Sequence, residues 1–273
     1  MKPPAFDYLR AGSRAEALDA LHAAGSDARV LAGGQSLLPM LNMRLARPSL
    51  LVDIMHVPEW QQVQDDGSAL RIGAAVRQVT LERRPELAAR QPLLAAALAW
   101  VGHAQTRSRG TICGSVAHAD PSAEIPLVLV ALGGSIELRS RRHRSIPAAE
   151  FFTGMMATAC ADDEIIEAVR FPAAQSGTGY AFREIARRHG DFAIVGCAAV
   201  ADRMKVRLAV AGVADHPTAI DLPPDPAAFD DALNAFAWAL DARDDLHATA
   251  RYRRDLVRRI GRSVMEEAMR CRA

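Results

Sequence analysis

The alternation of apolar and polar residues changes period several times along the chain, and each change marks an element. "ARVLAGG" predicts a short buried strand. Ser36 is placed to cap a helix through "LLPMLNMRLA", with Pro39 in its first turn, where a missing N–H does little harm, and Arg47-Pro48 at its close. "SLLVDIM" is a second apolar strand, so residues 28–55 predict a small β-α-β unit. "ALRIGAAV" adds a strand and "QPLLAAALAWVG" an alanine-rich helix, followed by a long loop of small and polar residues, "HAQTRSRGTICGSVAHAD". Asp120-Pro121 predicts the N-cap and first residue of a helix through "PSAEIPLVLVALGG", which Gly133 ends. Further strands are expected at "SIELRS", "RSIPAAEF" and "DEIIEAVRFP". The small, polar "AAQSGT" marks a boundary between domains at residues 1–174 and 175–273. Beyond it, "GYAFREIARR", "DFAIVGCAAVA" and "MKVRLAVAGV" predict a three-stranded antiparallel meander, and the chain from Asp225 predicts two helices. The fold class is α+β in two domains, without internal repeats.

Composition narrows the function. With 273 residues, half of them apolar, the chain can bury a sizeable core. A net charge of +1 argues against a dedicated nucleic-acid or membrane-surface protein. Of 33 basic residues only Lys2 and Lys205 are lysines, so an arginine cluster carries less weight here as a sign of phosphate recognition. The run Arg251, Arg253, Arg254, Arg258, Arg259, Arg262 accordingly predicts a solvated or partner-docking face. Cys113, Cys160, Cys197 and Cys271 form no C-x-x-C pair, which leaves no self-contained zinc or iron–sulfur site and no disulfide framework. The opening "MKPPAFDYLRAGSRAEAL" lacks a basic-then-apolar signal pattern, and the longest apolar stretches are too short to span a bilayer. The expectation is a soluble, cytoplasmic protein with no membrane span.

The sequence holds no G-x-x-x-x-G-K-[ST], G-x-S-x-G or H-E-x-x-H, and no G-x-G-x-x-G after a strand. Its eight histidines are not at metal-ligand spacing, so neither catalytic residues nor metal ligands are assigned. What stands out is a pair of glycine loops, Ala32–Leu37 and Thr111–Ser115. Successive bare N–H groups in such loops form anion-binding nests, and Ser36, Thr111 and Ser115 add hydroxyl donors. Either loop alone reads as an ordinary tight turn. Together, with apolar walls able to hold a ring system, they point to a dinucleotide.

"AGGQSLLPMLNMRLARPSLLVDI" and "GTICGSVAHADPSAEIPLVLVAL" resemble the two flavin-binding segments of the FAD-binding (medium) subunit of molybdenum hydroxylases, the carbon monoxide dehydrogenase and xanthine dehydrogenase family. "YAFREIARRHGDFAIVGCAAV" resembles that subunit's later flavin-proximal loop and "ATARYRRDLVRRI" its C-terminal helix, so the resemblance covers the whole chain. The second motif departs from the family's double glycine and asparagine, having Cys113-Gly114-Ser115 instead.

The resemblance implies a two-lobed PCMH-type FAD-binding domain followed by a smaller sheet-plus-helix domain, and FAD held non-covalently. Leu31, Ala32, Gly33, Gly34, Gln35, Ser36 and Leu37 would wrap the pyrophosphate, and Thr111, Cys113, Gly114 and Ser115 would complete the cradle. Asp120 and Glu124 match acidic positions at the ribose end, though Asp120 reads more readily as a helix cap. Val101 and Ile165 match apolar positions beside the flavin, and Val101 also fits plain helix core. Arg183 matches a basic position near the isoalloxazine. Phe192 is a lid or a core residue, and His118 a polar loop residue. The implied function is an electron-transfer subunit, taking electrons from 2Fe-2S clusters in a small partner subunit and passing them to an external acceptor. The molybdenum cofactor would sit in a large partner subunit, in a dimer of heterotrimers. A stand-alone flavin-dependent oxidoreductase and a non-catalytic nucleotide-binding module are the alternatives.

Overall fold

In the computed structural model, which describes residues 2–272, the strands expected at "ARVLAGG" and "SLLVDIM" form, joined by a first strand at Asp7–Arg10 that the apolar pattern does not announce. Strands β1 (Asp7–Arg10), β2 (Ala28–Leu31) and β3 (Leu50–Asp53) form a parallel sheet in the order β1-β3-β2. The helix between β2 and β3 is shorter than its sequence suggests. It covers only Leu37–Asn42, and the chain then turns away through Arg44, whose φ is 60°. Ser36 already has helical backbone angles and its side chain makes no capping bond, so it is not the N-cap that the sequence indicates.

The next strands are β4 (Val63–Asp65), β5 (Ala69–Gly73), β6 (Ser135–Arg139) and β7 (His143–Pro147). After a two-stranded hairpin of β8 (Phe152–Gly154) and β9 (Ala157–Thr158) comes the long strand β10 (Ile165–Pro172). β10 enters between its predecessors, giving an antiparallel sheet in the order β4-β5-β10-β6-β7. The two sheets are the two lobes of the first part of the chain.

The last sheet has four antiparallel strands, not three: β11 (Gly179–Ile185), β12 (Val195–Ala201), β13 (Val206–Ala211) and β14 (Thr218–Leu222). β14 is an edge strand bounded by Pro217 and by Pro223-Pro224, residues that break the apolar run on both sides. The helices Phe229–Ala239 and Ala250–Arg270 follow, as predicted.

One helix ties the two parts together. It runs from Glu124 to Ala131, and all eight of its residues are buried. "EIPLVLVA" has no polar stripe, and a helix apolar on every side is stable only when covered on every side. It shares one core with Ile72, Ile136 and Val169 of the five-stranded sheet and with Ala198, Ala209 and Ala211 of the four-stranded one. The opposite face of the last sheet, including Cys197, Ala199, Leu208 and Val210, packs on the two C-terminal helices instead. Alternate residues of alanine-rich strands thus serve two cores, as the period of two requires.

The arginine run is not a single solvated face. Arg253 is buried, Arg254 lies 4.2 Å over the Trp238 ring, and Arg262 reaches Asp230 of the preceding helix at 2.5 Å. Only Arg251 and Arg259 of that run are exposed.

An ion-pair junction joins the first two sheets. Glu167 of β10 accepts from Arg14, on the helix after β1, at 3.1 Å, and from Arg139 of β6 at 2.9 Å. Burial opposes ionisation of this carboxyl, yet the two arginine hydrogen bonds outweigh it and hold its pKa below the usual range. Removing the charge leaves two arginines facing an amide. Both arginines keep contact with water, so the cost falls below that of breaking a wholly buried pair. Glu167→Gln is expected to lower stability by about 2 kcal/mol, measured by chemical unfolding; an unchanged midpoint and slope would show that the junction contributes nothing.

Candidate functional site

A cavity of about 1200 Å³ opens where the three sheets meet, somewhat larger than the usual small-molecule site. Its floor is the turn after β2. There the backbone of Gly33 lies against that of Arg109 and Gly110, so closely that a Cβ on Gly33 would collide with the Arg109 carbonyl. Gly34 follows at φ 71°, a conformation that suits glycine. The consequence is electrical. Among the described residues, none of the N–H groups of Gly33, Gly34, Gln35, Ser36 and Leu37 finds a protein acceptor; the first helical bond in this turn is Leu38 N–H to the Gly34 carbonyl, at 3.1 Å. Five consecutive unpartnered donors along a cavity wall form a nest for an anion.

The second glycine loop lies opposite. Thr111 caps the helix Ile112–His118, its hydroxyl oxygen accepting from Gly114 N–H at 3.0 Å, and a Cβ on Gly114 would come within 2.5 Å of that oxygen. Thr111 therefore has a structural duty beside any contact with a ligand. Cys113 does not need glycine's freedom: it sits within the helix without a positive φ, its thiol directed at the Ile72 carbonyl at 3.5 Å. Burial pushes that thiol up to about 12, so it packs as a neutral group. Gln78, which sequence reasoning missed, is 4% exposed, and its Oε1 has no partner beside Gly110. A lone glutamine before an apolar stretch carries no signal by itself; only the fold brings it to the loop.

All the residues proposed from the sequence as flavin contacts line this cavity except Leu31 and Arg183. Leu31 ends β2 and packs behind Gly34. Arg183 is on β11, half exposed, and its Nε and Nη2 donate to Glu267 Oε2 of the C-terminal helix at 2.9 and 2.7 Å. Strand alternation sends it to the helix side, so it is not the cation of this cavity. Arg187 and Arg188 on the arm after β11 take that place at the wall. His189 of the arm lies against Trp100, ring centroids 4.7 Å apart and planes tilted by 36°, and the arm carries Phe192 into the lining, 71% exposed.

Asp120 does not cap the helix Glu124–Ala131, which starts four residues later. It makes a turn instead, accepting from Ser122 N–H at 2.8 Å. Val101 and Ile165 are both apolar, buried and at the wall. Among the described residues, the grouping able to hold a metal ion is Glu137, His143 and Glu167. None of the three lines the cavity, and Arg14, Arg71 and Arg139 already neutralise the two carboxylates.

Two acidic groups near the site keep their protons to higher pH than free carboxyls do. Burial, with the Asp120 charge adding to it, raises Glu124 to about 7. Burial, with Glu124 adding to it, raises Glu184 to about 8, and both Glu184 oxygens are buried without partners. Above the ordinary carboxylate pKa the unfolded chain has released these protons while the folded chain keeps them. Stability therefore falls as pH rises from about 5 to about 8. Glu184→Gln should flatten that fall and raise the melting temperature at pH 8.5 by about 3 °C; equal slopes for the variant and the parent chain would refute the assignment.

Comparison with known proteins gives a consistent picture. Residues 4–174 match the family described as FAD binding domain in molybdopterin dehydrogenase, and residues 180–268 match the CO dehydrogenase flavoprotein C-terminal domain. The chain is 38% identical to the nicotine 6-hydroxylase medium subunit of Paenarthrobacter nicotinovorans, over 98% of this chain and 99% of that protein. It is also 38% identical to the carbon monoxide dehydrogenase medium chain of Hydrogenophaga pseudoflava, over 81% and 78%. Among solved structures, reconstituted CO dehydrogenase from Oligotropha carboxidovorans superimposes with a TM-score of 0.94 at 30% identity, covering all of both chains. Quinoline 2-oxidoreductase from Pseudomonas putida 86 gives 0.91 at 32%, covering 99% of each.

Proposed function

Because this chain belongs to the FAD-binding medium subunits of the molybdenum hydroxylases, we propose that it is the electron-transfer subunit of a heteromeric enzyme of that kind. Family membership makes it an oxidoreductase subunit with an FAD-binding domain. In this reading it receives electrons from 2Fe-2S clusters of a small partner and delivers them to an external acceptor. A large partner oxidises the organic substrate at molybdenum. Four free thiols accord with a cytoplasmic setting, and among the described residues no helix is long and apolar enough to cross a membrane.

The observation that carries this reading is the run of unpartnered N–H groups from Gly33 to Leu37 inside a cavity of dinucleotide size. Those groups suit a pyrophosphate, with the Ser36 and Ser115 hydroxyls beside them. Glu124 and the free oxygen of Asp120 suit sugar hydroxyls, one as donor when protonated and the other as acceptor. Val101, Ile165 and Phe192 supply apolar surface for a ring system. When bound, FAD supplies the redox chemistry, and this chain supplies binding, orientation and electrostatics.

Four outcomes test the reading. Gly34→Val should reduce FAD content at least tenfold, because a β-branched residue resists φ 71° and its Cβ would press on Leu38. Acid precipitation of the parent chain should release all the flavin, and yellow colour kept in the pellet would contradict non-covalent binding. Expressed alone, the chain should be yellow yet oxidise no organic hydroxylase substrate. Co-expressed with its genetic neighbours, it should copurify with one small iron–sulfur chain and one large molybdenum chain, in a mass fitting a dimer of heterotrimers. Substrate turnover by the isolated, metal-free chain would instead identify a stand-alone flavoenzyme.

A further inference from the structure

Arg253 is 5% exposed and reaches the cavity wall from the first turn of the C-terminal helix. Its guanidinium makes three bonds in three directions. Nη1 donates to the Ile194 carbonyl at 2.6 Å and to the Gly212 carbonyl at 2.5 Å, and Nη2 donates to Asp245 Oδ2 at 2.5 Å. Two of the acceptors, on Ile194 and Asp245, line the cavity, and the third, on Gly212, is bonded to a turn whose neighbouring residues line it. Ile194 closes the arm that carries Phe192, its own N–H bonded to the Ile185 carbonyl at 2.7 Å. Gly212 passes the constraint on: its N–H donates to the Pro121 carbonyl at 2.7 Å, in the turn that leads from Asp120 to Glu124. The other oxygen of Asp245 accepts from His247 N–H at 2.8 Å and Ala248 N–H at 2.9 Å, which folds the segment between the two C-terminal helices against the same wall.

We infer that Arg253 is a positioning residue for the flavin site: one guanidinium holds the Phe192 arm, the Asp120–Glu124 turn and the Asp245–His247 segment at fixed separations around a single cavity. The inference rests on the reading of this cavity as the FAD site. A planar fork with several fixed donors can serve three acceptors at once, whereas an ammonium is a point charge on a flexible stem and cannot hold the same set. With the fork gone, loops that are now preset must be ordered by the ligand, and the cost appears in affinity and in the surroundings of the ring.

The test uses the full chain with its flavin removed, titrated with FAD, for Arg253→Lys, Arg253→Met and Asp245→Ala. Arg253→Lys is expected to weaken FAD binding about tenfold and to shift the visible absorption bands and reduction potential of the bound flavin. Its flavin-free melting temperature should stay within about 2 °C of the parent. Asp245→Ala, which frees one of the three pieces, should change the same quantities in the same direction by less. A purely structural role would lower the flavin-free melting temperature while leaving affinity, spectrum and potential as in the parent, and that result would overturn the inference. Should Arg253→Met fail to fold, the other two variants decide on the same terms. A parent chain that takes up no FAD would fail at the start of the titration, and would refute the reading of the cavity before any variant was compared.

Discussion

The contact between the backbones of Gly33 and Arg109–Gly110 is the constraint on which the site depends. Two loops distant in sequence approach until no side chain fits between them. That closeness fixes the turn after β2 with its N–H groups facing the cavity rather than folded into a helix. It also seats the second loop, where Gln78 N–H donates to the Gly110 carbonyl at 2.8 Å and Ile112 N–H to the Val76 carbonyl at 3.2 Å. Polar backbone left unpaired on purpose is costly unless something polar arrives, and the surrounding structure is built to keep it so.

Around that contact the rest of the molecule acts as a frame. The all-apolar helix Glu124–Ala131 must be covered on every side, and the small side chains of β12 and β13 let the last sheet close over it. Because this helix begins at the cavity, covering it also brings the arm of Arg187–Phe192 to the opposite wall. Packing of an apolar element and completion of a polar site are thus one event. The buried carboxyls of Glu124 and Glu184 at that seam are the cost of placing acidic groups there, visible as their displaced titration.

Most of this frame is legible in the sequence, where periodicity is strong or glycine is doubled. The β-α-β unit, the apolar helix and the two glycine loops belong to that class. What escapes detection depends on three-dimensional partners. β14 is hidden by its flanking prolines, and the start of the apolar helix is displaced because Asp120-Pro121-Ser122 prefers a turn. Arg183 matches a pattern at its position, yet alternation along β11 commits it to Glu267. Gln78 and Arg253 give no local signal at all; in a chain so rich in arginine, the one that turns inward looks like its neighbours.

A cavity walled by elements from both the first and the last parts of the chain has a consequence for unfolding. A ligand seated there touches both parts, so neither can open without releasing it. By mass action, a ligand at a thousand times its dissociation constant adds about 4 kcal/mol to every opening that empties the cavity. Local openings that would otherwise occur separately on either side of the seam then share one penalty, and the loaded chain unfolds as a single cooperative unit.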